Sequence, residues 1–219
     1  MSEPVTGRQV ANLFLRQRVP SGRGPHPVLL LLHGWTGDEH SMSIFIPALP
    51  PEALLIIPRG LYPTPLGGYS WQPDHEKKWA SLQDFQPAVE ALMDLLDPVT
   101  FPTADLDRLS LVGFSQGAAL VYSFALIYPQ RVRAFAALAG FMPEGAAEYI
   151  QAEHPPLRGK PVFVSHGQRD EMVPIQRART AVALLEQTGA LVTYCESNAG
   201  HKLSLDCFEG LGEFFKTNY

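Results

Sequence analysis

The segment Gly113-Phe114-Ser115-Gln116-Gly117 constrains this chain more than any other stretch. It lies between a short apolar run, Leu109 to Val112, and a run of small residues, Ala118-Ala119-Leu120. That order predicts a strand, a sharp turn and a helix, with a serine at the apex. So tight a turn strains the backbone of the apex residue and brings the flanking backbones together. Glycine, lacking a Cβ, is what those flanks tolerate. The serine hydroxyl then points out of the turn. The amide of Gln116 falls at a helix N-terminus, where it can face negative charge developing on an oxygen. The pentapeptide also fits a plainer reading, a glycine-rich turn with Ser115 as the N-cap of an ordinary helix. Context decides between the two.

The context is a chain of short apolar strands alternating with helices. Val10 to Val19 reads as an edge strand or hairpin arm, and Ser21 to Pro25 as a turn. Val28 to Leu32 and Ala53 to Ile57 read as strands buried on both faces. Ser41 to Leu49 suggests a short helix, and Leu61 to Trp79 a long loop without period. Leu82 to Leu96 is amphipathic at helical spacing. Further strands are expected at Leu109–Val112, Ala134–Ala139, Pro161–Ser165 and Leu191–Cys195. Helices are expected at Ala118–Tyr128, Ile175–Gln187 and Leu203–Phe215. This pattern predicts an α/β fold: a mostly parallel central sheet flanked by helices on both faces. With 219 residues and no repeat or linker, one domain over 1–219 is expected.

Composition narrows the function classes. The chain is 46% hydrophobic and 18% charged, within the range of soluble globular proteins. A net charge of −5 without a basic block speaks against nucleic-acid binding. Met1 to Gln9 lacks a signal-peptide pattern, and no apolar run is long enough to span a membrane, so a cytoplasmic location without stable membrane insertion is expected. Cys195 and Cys207 read as reduced core residues, because two thiols do not make a disulfide framework.

Acyl transfer by a serine needs a base and a carboxylate that orients it, here in the chain order serine, acid, histidine. The predicted strand Pro161–Ser165 runs into a loop carrying Asp170, and Leu191–Cys195 into a loop carrying His201. Glu171 and Asp206 are rival acids. His166 is the rival base, with a hydrogen bond shaping the acid loop as its expected task. His26, His40, His75 and His154 sit in polar or proline-rich settings and read as exposed. A second oxyanion amide is expected from the loop His33-Gly34-Trp35-Thr36-Gly37-Asp38. The choice is Trp35 N–H, paired with Gln116 N–H. His33 itself is expected to tie loops together. Trp35, Tyr69, Trp71, Phe141, Met142 and Met172 are candidate substrate contacts; the other reading of the aromatic ones is that they cover the sheet end. No spacing suggests a metal. About twenty residues separate Ala134–Ala139 from Pro161–Ser165, too few for a helical cap.

The segments Leu32 to Asp38, Gly113 to Gly117, His166 to Pro174 and Gly200-His201, with Gly67-Gly68-Tyr69-Ser70-Trp71, resemble the phospholipase/carboxylesterase family of α/β-hydrolases. That group includes acyl-protein thioesterases and bacterial carboxylesterases. The resemblance implies a cap-free α/β-hydrolase, serine esterase activity without a cofactor, and nucleophile, acid and base at Ser115, Asp170 and His201. It also implies oxyanion amides at Trp35 and Gln116. One departure stands out: thioesterase members usually carry a single residue between the two glycines of the first loop, where this chain has Trp35-Thr36. The expected function is hydrolysis of small or medium-chain carboxylic esters through an acyl-enzyme on Ser115. Thioesterase, lysophospholipase or small-peptidase activity would use the same residues, and a non-catalytic ligand-binding module is the reading from another class. The expected partner is a small-molecule ester; a homodimer is compatible with the sequence.

Overall fold

The computed structural model describes residues 4–10, 12–73, 79–150 and 156–219. His75 and His154 lie outside the described residues. Strands β1 (Thr6–Val10) and β2 (Leu13–Arg18) form an antiparallel hairpin at one sheet edge. Then come β3 (His26–Leu32), a 3-10 helix (Ser41–Ala48) and β4 (Leu54–Pro58). A small hairpin of β5 (Tyr62–Pro63) and β6 (Tyr69–Ser70) interrupts the segment expected to be an unstructured loop. Helix α1 (Leu82–Leu95), β7 (Ala104–Phe114), α2 (Gln116–Ile127) and β8 (Val132–Leu138) follow. The chain ends with α3 (Ala146–Ile150), β9 (Pro161–Gly167), α4 (Ile175–Gln187), β10 (Leu191–Ser197) and α5 (Leu205–Asn218).

The 8-stranded sheet has the order β1-β2-β4-β3-β7-β8-β9-β10. From β4 to β10 every neighbouring pair is parallel, so helices must cross over the faces. Every residue of β3 is buried, and its side chains alternate between two cores. Val28, Leu30 and Leu32 join the cluster that holds residues of α1, α2, α3 and α4. Leu29 and Leu31 join the cluster under the 3-10 helix and α5. The uninterrupted apolar run is therefore the mark of a strand covered on both sides. Helix α2 is buried from Gln116 to Leu126, apolar on all sides as a helix enclosed by its neighbours must be. Between β8 and β9 the described residues hold only the short α3, so they build no cap over the sheet.

Two expectations are overturned. His26, expected to be exposed, is only 8% exposed. Cys195 and Cys207 are joined in a disulfide. The end of β10 and the first turn of α5 return side by side, with the two Cα atoms 5.8 Å apart, within bridging range. A count of two cysteines carries no information about that approach. Among the described residues, no helix is long and apolar enough to cross a membrane.

Candidate active site

The elbow forms because β7 and α2 meet at Ser115 with almost no connecting chain. Ser115 adopts φ 54° and ψ −114°, a strained conformation for a residue with a side chain. A Cβ at Gly113 would strike the carbonyl of Gly117, and one at Gly117 would strike the carbonyl of Leu32. The two glycines thus let β7, α2 and the end of β3 touch backbone to backbone. Ser115 N–H donates to Leu138 O at 2.8 Å, which ties the apex to β8.

Asp170 and His201 reach the same point from β9 and β10. Asp170 is 7% exposed, and its Oδ1 accepts hydrogen bonds from the amides of Met172 and Val173, both at 2.9 Å. Its Oδ2 lies 2.6 Å from His201 Nδ1. His201 Nε2 in turn lies 3.0 Å from Ser115 Oγ. A carboxylate only accepts, so the imidazole proton belongs on Nδ1, and Nε2 is left to accept from the serine hydroxyl. The ring of Phe114 stands 5.1 Å from the His201 ring and limits its tilt. The rival acids Glu171 and Asp206 are exposed. His166 is fully buried and donates from Nε2 to Val173 O at 2.7 Å, bracing the acid loop as expected. Burial holds its pKa below the usual histidine value.

The two amides expected to receive an oxyanion come from different elements. Gln116 N–H opens α2, and Trp35 N–H lies in the loop after β3. Neither is engaged by a protein acceptor among the described residues. Open amides of this kind need water or a ligand. Thr36, one of the two residues between the glycines of this loop, has φ 64° and donates from Oγ1 to Trp35 O at 2.6 Å. His33 is fully buried: Nδ1 donates to Gly34 O at 2.7 Å and Nε2 accepts from Gly60 N–H at 2.9 Å. It ties loops together, and its burial lowers its pKa.

Several anchoring residues were not anticipated. The Gln116 side chain reaches the β6 loop: its Oε1 accepts from Trp71 N–H at 3.0 Å, and its Nε2 donates to Ser70 Oγ at 3.0 Å. A glutamine opening an otherwise apolar helix was the available signal, since a buried amide must find partners. Glu39 and Arg59 form a bidentate pair at 2.7 and 2.8 Å, and the guanidinium lies over the Tyr69 ring. Arg59 holds the Glu39 carboxyl below the usual carboxylate range. Nothing in the sequence links two residues twenty positions apart.

The candidate substrate contacts separate. Trp35 is 47% exposed and lines a groove with Gly34 and Phe114, and Met172 is also exposed, its amide on Asp170 Oδ1. Trp71 is wholly buried, with its indole N–H on His33 O at 2.8 Å, so it braces the core instead of lining a pocket. Phe141 and Met142 are buried, and Tyr69 lies beneath Arg59. An apolar groove of about 300 Å³ runs instead between Trp35, Met42, Ile44, Phe45 and Phe114. Gly34, whose added Cβ would lie 3.2 Å from Ser115 Cβ, connects it to the serine.

The sequence pattern of the phospholipase/carboxylesterase family matches residues 17–219. A probable carboxylesterase of Oryza sativa subsp. japonica (Os04g0669500) is 27% identical over 135 residues, 60% of this chain and 49% of its own length. Acyl-protein thioesterase 1 of Eremothecium gossypii is 32% identical over 108 residues, 48% of this chain and 43% of its own. The chain thus spans about half the length of the curated relatives it matches. The crystal structure of a carboxylesterase from Mesorhizobium loti superposes with a TM-score of 0.81, covering 98% of this chain and 99% of that one at 22% identity, so the two share a fold.

Proposed function

The chain belongs to the phospholipase/carboxylesterase family, and from that premise we propose that it is a serine carboxylesterase acting on small or medium-chain esters through an acyl-enzyme on Ser115. The observation that carries this reading is the continuous line from Asp170 Oδ2 through His201 to Ser115 Oγ, at 2.6 and 3.0 Å. Ser115 Oγ attacks the ester carbonyl while His201 Nε2 takes its proton. Asp170 holds the imidazole and stabilises its cationic form. The amides of Trp35 and Gln116 receive the oxyanion. His201 then protonates the leaving alkoxide, and water, deprotonated by His201, releases the acid and restores the serine. A backbone donor to the oxyanion is worth about 3–4 kcal/mol of barrier.

The groove beside Gly34 supports an ester with one apolar arm of modest length, since it is open and shallow enough to reach without a cap. Thioesters form the second substrate class, favoured by the relation to an acyl-protein thioesterase. A cytoplasmic setting stands as part of this reading, under one condition. A disulfide persists in oxidising compartments, whereas in a reducing cytoplasm it is transient. A cytoplasmic enzyme would therefore have to cycle its Cys195–Cys207 bridge.

The test is direct. A fluorophosphonate probe should label wild-type protein on Ser115, and Ser115→Ala should lose both the label and p-nitrophenyl ester hydrolysis while its melting curve is unchanged. Full activity in Ser115→Ala would end the reading. Binding of esters with neither turnover nor probe adduct would favour a non-catalytic module on the same fold.

A further inference from the structure

The loop carrying His201 is held differently on its two sides. Upstream, it is bonded to the acid loop: Gln168 N–H donates to Ser197 O at 2.8 Å, Arg169 N–H to Ala199 O at 2.9 Å, and Arg169 Nη2 to Asn198 O at 2.6 Å. Gly167 lies so close to the carbonyls of Ala199 and Gly200 that a Cβ would collide with both. That grip ends at Gly200. Beyond His201, Lys202 N–H returns to Gly200 O, and Ser204 caps α5 by accepting from Cys207 N–H at 3.3 Å. Among the described residues, no hydrogen bond from Lys202, Leu203 or Ser204 reaches the elbow or the acid loop. The downstream half is therefore fixed by the packing of Leu203 against the second core and through α5, and the covalent join between α5 and the strand before the loop is the Cys195–Cys207 disulfide, 12 residues apart with His201 at its midpoint. Among the described residues, strand β10 is a sheet edge paired only with β9, so the bridge also ties that edge to a helix packed in the second core.

Resting on the esterase reading, we propose that Cys195 and Cys207 are positioning residues for His201: their disulfide closes its loop and keeps Nε2 at working distance from Ser115 Oγ. Reduction by a dithiol breaks the sulfur–sulfur bond. Two electrons and two protons pass from the dithiol to Cys195 and Cys207, and the reductant becomes a disulfide. The freed start of α5 then lets the loop spread, and the base drifts from the serine. A small-molecule disulfide restores the bridge by the reverse exchange. Cys207 is buried and Cys195 half-buried, so exchange begins on the Cys195 side.

The experiment compares oxidised and dithiothreitol-reduced wild-type protein, with peptide mapping under non-reducing conditions to follow the bridge and near-ultraviolet circular dichroism to follow the fold. Misplacing a catalytic group by about an ångström costs on the order of a hundredfold. The reduced, folded protein should lose ten- to a hundredfold in kcat, on the order set by that misplacement, with KM little changed. The rate of fluorophosphonate labelling should fall in parallel, and oxidised glutathione should restore both. Cys195→Ala/Cys207→Ala should show the reduced rate and ignore reductant. Three outcomes overturn the proposal: a folded reduced protein with unchanged kcat, global unfolding on reduction, or free thiols in a fully active preparation. The oxidised wild type and Ser115→Ala separate these from failure of the esterase reading, because only that failure leaves the alanine variant active or the oxidised wild type without turnover.

Discussion

Gln116 contributes through its backbone and through its side chain, and mutation can separate the two. Gln116→Ala keeps the amide proposed to receive the oxyanion but leaves the buried Trp71 N–H without its acceptor, which costs about 1–3 kcal/mol. Urea denaturation should show that loss, and kcat/KM should fall far less than in Ser115→Ala. An unaltered unfolding midpoint would mean that the β6 loop does not depend on this glutamine. Ile44 tests the groove. It is 69% exposed, so Ile44→Asp should fold normally. Removing contact with two or three methylenes, at about 0.8 kcal/mol each, should lower kcat/KM for hexanoate esters on the order of tenfold and spare acetate. Acyl and alkyl series, each with the other arm held small, tell which arm occupies the groove. Equal loss for all chain lengths would remove the groove from the substrate path. The meeting of Ser115, Asp170 and His201 was legible because each follows an apolar strand on a loop in a fixed chain order. Glu39 and Arg59 were not, since an ion pair across twenty residues leaves no periodic trace.

The helical elements show why boundaries were readable in some places and not in others. Helix α4 runs from Ile175 to Gln187, as its pattern predicts, between Pro174 and Gly189. Strand β7 begins at Ala104, five residues before the apolar run, because Asp105, Asp107 and Arg108 interrupt the apolar pattern there and none of Ala104 to Arg108 is fully buried. The five residues of α3 are too few to display a helical period. Helix α1 starts at a reciprocal cap in which Ser81 Oγ accepts from Asp84 N–H and Asp84 Oδ2 accepts from Ser81 N–H. Ser81→Ala should therefore cost about 0.5–2 kcal/mol of stability, read from urea unfolding, with kcat unchanged. A change in kcat without a change in stability would mean that α1 acts on the site by another route.

At the scale of the whole molecule, the titrating groups whose pKa the fold lowers set an order of acid sensitivity. Burial lowers the pKa of His33 and His166 in the fold, while in the unfolded chain both titrate near 6.5. As pH falls through 6.5 the unfolded state takes up protons that the fold refuses, so stability declines first there. Glu39 and Glu196 follow. Arg59 holds the first below its ordinary 4.5, and Arg179 holds the second at about 2. Their contribution is complete above 4.5 and fades as pH drops toward the folded values. Urea midpoints measured against pH should fall in these two stages; a flat profile across 6.5 would contradict the first. The enclosure of α2 has a further consequence for time scales of opening. Its amides should exchange with deuterium only through global unfolding, whereas those of the edge strand β10 exchange through local openings. Ser115 would then be seated on the slowest-opening part of the molecule, and His201 on the loop that follows a faster-opening strand. On gradual heating, hydrolysis should fade while the bulk of the sheet is still protected, as the imidazole wanders away from a serine that has not moved.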